Sequence, residues 1–155
     1  MIIVSDTTAI TTMLKVDQAK LLQQLFGELL IPQAMWDELP AFYPKLPGFV
    51  SLRPVAETNP SLVGIRQLGR GEAEAITLAV EIKADLLLTD DLLARSIAGQ
   101  MNVRCMGLLG VVFRAKKLGL TSSVGETISL FETKGGLYLS DAVKAEALRM
   151  AGESG

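Results

Sequence analysis

Two short apolar runs in this sequence end on acid: MIIVSDTT stops at Asp6, and ADLLLTDD stops at Asp90 and Asp91. A buried strand that terminates in a carboxylate presents it at the strand's carboxyl end, where ligands bind in an open parallel sheet. The same residues have a second use as helix N-caps, with Ser5, Asp6 and Thr7 or Thr89, Asp90 and Asp91 preceding the next helical pattern. The chain contains no histidine, which removes the usual base of Ser and Cys hydrolases and the imidazole ligands of most zinc sites. Acid–base or metal chemistry here must rest on carboxylates.

Two further acids can reach the same edge. In IPQAMWDELP, a turn of 100° per residue puts Met35, Trp36 and Leu39 on one face, sends Asp37 toward solvent and leaves Glu38 at the border. In LGRGEAEAITLAVEIKA, Ala73, Ile76, Ala79 and Val80 form an apolar stripe that contains Glu72, whereas Glu74 falls with Thr77 and Glu81 on the polar side. Taken alone, Glu72 is a favourable carboxylate at a helix N-terminus, worth about 0.3–1 kcal/mol. Asp6, Glu38, Glu72 and Asp90 brought together would repel one another, raise some pKa values and destabilise the empty site. A divalent cation resolves that conflict. All-oxygen ligation favours Mg²⁺ or Mn²⁺ over zinc, and such a site suits metal-assisted phosphodiester hydrolysis.

The elements that would position these groups alternate between short Leu-rich or β-branched runs and longer helical patterns, which predicts βαβ units and a parallel sheet covered on both faces. Strands are expected at Ile2 to Ser5, Leu29 to Ile31, Leu86 to Thr89 and Val103 to Met106. Helices are expected at Ala9 to Lys15, Ala19 to Phe26, Gln33 to Leu39, Ser61 to Ile82 with a break at Gly69–Gly71, and Asp91 to Gln100. The proline-rich stretch PAFYPKLPGFVSLRPVAETNP reads as an irregular loop, placed to form a rim over a site. After Met106, LLGVVFRAKKLGL, SSVGETISLFETKGG and LYLSDAVKAEALRMAGE give three helical patterns, with Gly119 and Gly135–Gly136 as stops and Ser140 or Asp141 as a cap. The expectation is one domain over residues 1–155, with 107–155 as a helical extension of the same unit.

Composition narrows the function classes. The chain is 49% hydrophobic, yet its apolar runs fall far short of the roughly 18 residues of a membrane span. No basic segment precedes an apolar one at the N-terminus, so a cytoplasmic location is expected. The single Cys105, in NVRCMG, has no partner for an intramolecular disulfide and reads as a small buried hydrophobe. A formal net charge of -2 leaves no broad basic footprint for nucleic acid. Phosphate contacts would therefore fall to a local rim drawn from Lys45, Arg53, Arg66, Arg70 and Arg95. The apolar composition also suggests an exposed patch for a homodimer or a protein partner.

Three other motifs fail. A haloacid-dehalogenase-like phosphatase needs an acid two residues after its first Asp, where this chain has Thr8; a response-regulator receiver needs an early acidic pair, and here the pair comes late. GRGEAE lacks the third glycine of a dinucleotide fingerprint and follows a helical pattern.

Nearly end to end, the chain resembles the PIN-domain ribonucleases, particularly the VapC-like toxins of bacterial and archaeal toxin–antitoxin pairs. The resemblance runs through IVSDTT, IPQAMWDEL, LGRGEAEAITLA, LLLTDDLLAR, MGLLGV and LYLSDAVKAEALRMAGE. It implies a three-layer α/β/α sandwich with a short, mostly parallel sheet and a helical C-terminal tail. It also implies a metal-dependent endoribonuclease acting on RNA, with an antitoxin as cognate partner. The ligands implied by resemblance are Asp6, Glu38, Glu72 and Asp90 for Mg²⁺ or Mn²⁺, with Asp91 sharing or taking the role of Asp90 and Glu74 competing with Glu72. Ser5, Thr7 and Thr89 resemble the hydroxyls that orient water at such a site. The alternative is a catalytically silent scaffold of the same fold that binds RNA or protein.

Overall fold

The computed structural model describes residues 1–38 and 47–153. Five strands form one parallel sheet in the order β3-β2-β1-β4-β5. In chain order they are β1 (Ile3–Ser5), β2 (Leu29–Ile31), β3 (Val50–Leu52), β4 (Leu86–Leu88) and β5 (Cys105–Met106). Helices α1 (Thr7–Lys15), α2 (Ala19–Phe26) and α3 (Gln33–Asp37) lie among the first strands, and α4 (Arg70–Glu81) and α5 (Leu92–Gln100) flank β4. After β5 come α6 (Leu108–Lys117), α7 (Val124–Thr133) and α8 (Asp141–Met150).

Side chains alternate across a strand, and that alternation builds the layers. Ile3, Leu29, Ile31, Leu86 and Leu88 enter one core with Ile10, Leu22, Val112 and Phe131, from α1, α2, α6 and α7. Val4 and Leu87 enter the other, with Met35, Ile76, Leu78 and Ala98 from α3, α4 and α5. The result is the expected three-layer α/β/α arrangement. Each fully buried Leu or Ile contributes about 1.5–3 kcal/mol, so the very short strands owe their stability to the helices on both faces.

Two expectations change. The proline-rich stretch contains β3, which pairs with β2 through Leu29↔Val50, Leu30↔Ser51 and Ile31↔Leu52. An edge strand bonds on one side only and tolerates flanking prolines, here Pro47 and Pro54; Val50 is buried but Leu52 is exposed. Residues 40–46 of that stretch lie outside the described residues, Lys45 among them, and so does Leu39. The helix expected from Ser61 begins instead at Arg70, with Gly69 as N-cap. Leu62, Ile65 and Leu68 are spaced as on a helix but sit on successive turns, and Gly64 adopts φ 91°, which an α-helix cannot continue through. Gly69–Gly71 is the start of α4, not a break within a longer helix.

The C-terminal helices are fastened by one carboxylate. Glu153 accepts hydrogen bonds from Lys116 Nζ (2.6 Å), Val124 N (2.8 Å), Gly125 N (3.0 Å) and Ser123 Oγ (3.2 Å). Lys116 Nζ also donates to Ala151 O at 2.8 Å. The clasp joins the end of the chain to α6 and to the positive end of α7. The Lys116 ammonium, followed by the α7 backbone donors, pulls the Glu153 carboxyl down to about 2.

Candidate active site

The strand order decides where the site lies. From β1 the chain moves outward through β2 to β3, then returns to lay β4 on the other side of β1. The crevice between the carboxyl ends of β1 and β4 is the topological switch point, the usual ligand position in such a sheet. Ser5 pairs with Leu88 at the tips, and the next backbone N–H, that of Asp6, donates to Leu88 O at 3.0 Å. Asp6 and Asp90 are therefore delivered to the two lips of one crevice.

Asp6 is 7% exposed. Its Oδ1 accepts from Ala9 N at 2.8 Å and caps α1, and the Thr89 hydroxyl also favours its charged form. Burial nevertheless dominates and pushes the carboxyl from 3.8 up to about 6; the Ala9 and Thr89 bonds pull it down, and the charges of Asp90 and Glu72 push it up further. Ser5 Oγ, wholly buried, donates to Asp6 O at 2.8 Å.

Asp90 and Asp91 divide their work. Asp91 Oδ1 accepts from Ala94 N at 2.7 Å as the N-cap of α5, and its own N–H donates to Thr89 Oγ1 at 3.2 Å. Asp90 Oδ2 instead accepts from Leu108 N at 3.1 Å, at the amino end of α6, whose cap residue Gly107 offers no side chain. A Cβ on Gly107 would lie 2.2 Å from Asp90 Oδ1 and 3.2 Å from Arg95 Nη1. Asp90, with Arg95 close by, thus occupies space that only glycine leaves open.

Glu38 and Glu72 approach from the α3–α4 side. Glu72 lies in the first turn of α4, and its carboxylate folds back over Gly69, where an added Cβ would meet Oε2 at 2.2 Å. Glu38, the C-cap of α3, sets its carboxylate over Gly71, with Oε2 and Oε1 at 2.8 and 2.9 Å from a Cβ position there. Partial burial and then the Glu72 charge push Glu38 up, while the Gly71 N–H and Arg70 pull it down. Asp37 is exposed and accepts from Gln33 Nε2 at 2.9 Å, as its place on the wheel predicts.

Glu74 is a correction. It is 6% exposed, not on a solvated face. Its Oε1 accepts from Ala34 N at 3.1 Å and its Oε2 pairs with Arg70 Nε at 3.3 Å. The wheel fails because the polar side of α4 is covered: α3 lies against it, and Thr77, also buried, accepts from Asn59 N at 3.0 Å. Val80, placed in the apolar stripe, is the residue left exposed.

Residues 2–153 match the family described as DUF3368, PIN domain. The chain belongs to the PIN-domain family. Its fold also matches a PilT N-terminus domain protein from the hyperthermophilic archaeon Sulfolobus solfataricus P2, with TM-score 0.53 and 18% identity over 72% of this chain and 90% of that one. At that identity the likeness concerns the fold. Among curated proteins none matches.

PIN domains are generally nucleases that use divalent metal ions, so the donor set of this PIN domain can be tested for fit. Its acids are hard oxygen donors, burial and then neighbouring carboxylates push Asp6 and Glu38 up, and the chain has no histidine to compete. That chemistry fits Mg²⁺ or Mn²⁺. The side chains are not, however, drawn to a common centre: among the described residues no three acidic or cysteine side chains stand as a coordinating group. Asp90 is turned to α6, and Glu72 and Glu38 to the glycines of α4.

Of the basic rim, Arg53, Arg66, Arg70 and Arg95 are exposed. Arg70 is committed to Glu74. Cys105 is half-buried, and that burial pushes its thiol up, away from the reactive thiolate. Sequence reasoning missed Leu108 N–H, Gly71 and Gly107. The only signal for them was a glycine at each helix start. Among the described residues no helix is long and apolar enough to cross a membrane.

Proposed function

We propose that this PIN domain is a divalent-metal-dependent endoribonuclease that hydrolyses RNA phosphodiester bonds, and that it is the cytoplasmic toxin of a toxin–antitoxin pair. The observation that carries the reading is Asp6: a buried carboxylate at the switch point, pushed up to about 6, with further carboxylates as its charged neighbours. A fold that concentrates unneutralised negative charge in a crevice is built for a cation. Asp6, Glu38, Glu72 and Asp90 would hold Mg²⁺ or Mn²⁺. When bound, the cation neutralises charge on the phosphoryl group and lowers the pKa of water.

The chain's own residues set the frame for that chemistry. Ala9 N–H and Thr89 fix the Asp6 carboxylate, and Leu108 N–H fixes Asp90. Asp91 braces the start of α5 beside them and takes no second partner role while it caps the helix. Both Glu74 oxygens are engaged, so the third ligand is Glu72. Arg53, Arg66 and Arg95 are the cations available for RNA phosphates. Residues 1–155 act as one domain whose extension, 107–155, contributes Leu108 to the site. A homodimer and an antitoxin segment are the proposed protein partners.

The test is cleavage of single-stranded RNA by the wild type and Asp6→Asn, with Mn²⁺ and with chelator. Cleavage that needs both Asp6 and metal supports the reading, and metal-independent or Asp6-independent cleavage overturns it. The dispersed orientation of Asp90, Glu72 and Glu38 favours one second reading, a silent scaffold that binds RNA or protein. RNA bound but left intact by wild type in Mn²⁺ supports the scaffold. Sedimentation as a monomer at micromolar concentration removes the homodimer.

A further inference from the structure

We propose that Glu74 is the positioning residue for Glu38, acting through the short helix α3; this rests on the nuclease reading for its functional meaning. Helix α3 is five residues long and begins at Pro32, which supplies no side-chain cap. A helix of that length does not persist alone in water, and its free amino-end N–H groups need partners. The partner for Ala34 N–H comes from another helix: Glu74 Oε1, at 3.1 Å. Glu74 Oε2 is held in turn by Arg70 Nε at 3.3 Å, one helical turn earlier on α4.

The other end of α3 is fixed to the same turn of α4. Glu38, its C-cap, lays its carboxylate against Gly71, with Oε2 and Oε1 at 2.8 and 2.9 Å from the Cβ position there. Met35, 2% exposed, packs between the two attachments, with Cγ 3.0 Å from the Gly71 Cβ position. Amino end, middle and carboxyl end of α3 are therefore all referred to Arg70–Glu74. Glu74 sets where α3 starts, and the length of α3 sets where Glu38 ends.

A buried carboxylate is costly unless it accepts well-placed hydrogen bonds, and a purely apolar contact would suffice to pack α3. The charge is retained because a backbone donor must be met at one point, which apolar packing cannot specify. Gln keeps an acceptor oxygen at that point; Asp withdraws it by one methylene, and Leu removes it.

The experiment uses the full chain and two readouts. The first is metal-free: amide exchange of Gly71, which lies in the first turn of α4 under the Glu38 carboxylate. Glu74→Leu and Glu74→Asp are expected to speed it about tenfold, as Glu38→Ala does, and Glu74→Gln to stay within about twofold of wild type. The second is the Mn²⁺ midpoint in thermal titration. Glu74→Leu and Glu38→Ala are each expected to raise it about tenfold, with the double variant no weaker than either alone, because both remove one interaction. Gly71→Ala keeps Glu74 but fills the seat, and is expected to raise the midpoint.

If Glu74→Leu does not fold, Glu74→Asp against Glu74→Gln decides. Unchanged Gly71 exchange in Glu74→Asp, or full additivity of the Glu74 and Glu38 effects on exchange, overturns the proposal. Wild type without any Mn²⁺ response sinks the nuclease reading instead, and the exchange data then decide the positioning role by themselves.

Discussion

Two carboxylates, treated oppositely by the same fold, frame what this molecule is built to do. Glu153 is ringed by an ammonium, a hydroxyl and two backbone N–H groups, and its carboxyl is pulled down to about 2. Asp6 is more deeply buried, has fewer donors, faces other acids, and is pushed up to about 6. The chain evidently has the means to satisfy a carboxylate where only stability is at stake. At the switch point it supplies fewer of them, and on the proposed reading a bound cation provides the positive charge that Asp6 lacks.

The largest effect expected from breaking this contrast is on activity. Asp6→Asn keeps a good cap for α1 but removes the charge at the crevice, and should lower Mn²⁺-dependent RNA cleavage on the order of 10²–10³-fold, measured as initial rates on a labelled oligonucleotide. Next comes the cation itself. At roughly 100 times its dissociation constant it contributes about 2.7 kcal/mol, so Mn²⁺ should raise the melting temperature by about 5–10 °C. The shift should vanish in Asp6→Asn.

The pH dependence sharpens the comparison because the two groups have opposite signs. Asp6 has a folded pKa above its unfolded value, so the metal-free protein is most stable below about pH 4 with respect to this group. It loses stability as pH rises through about 6. The loss is on the order of 3 kcal/mol, read from chemical denaturation at each pH, and Asp6→Asn should abolish that slope. Glu153 is depressed, so its contribution is full above about pH 4.5 and fades as pH falls toward about 2. Glu153→Gln should remove this acid limb and slightly lower the melting temperature at neutral pH, the smallest effect of the series. The Mn²⁺ midpoint should not move.

The chemistry at the strand tips was legible because Asp6 and Asp90 interrupt apolar runs that have no other reason to end in charge. The wheel left Glu38 at the border of a face of Met35, Trp36 and Leu39, and of these Met35 is buried while Trp36, like Glu38, is exposed. Glu74 was not legible. A helical wheel divides buried from solvated, and α4 lies between the sheet and α3, so Glu74 and Thr77 on its polar face are buried too, while Glu81 stays exposed. Strand β3 was hidden for a different reason: at a sheet edge, three residues between prolines need no alternating pattern to hold them. The span from Ser61 misled in the opposite direction, because the spacing of three of Leu62, Ile65 and Leu68 also describes successive turns, and Gly64 was a local warning. The Glu153 clasp had no signal, since a lone acid near a chain end is indistinguishable from a solvated one until its donors are known.

The pairing of Ser5 with Leu88 carries a consequence for synthesis. A nascent chain that has emerged through β3 already holds Asp6 and Glu38, but its first strand has a partner on one side only. The second lip of the crevice arrives with β4, and Asp90 is not anchored until the first turn of α6 has followed. Long-range parallel pairing of this kind forms late, so the proposed site is not assembled on a ribosome-bound fragment that ends before α6, and is completed only when most of the polypeptide has been made.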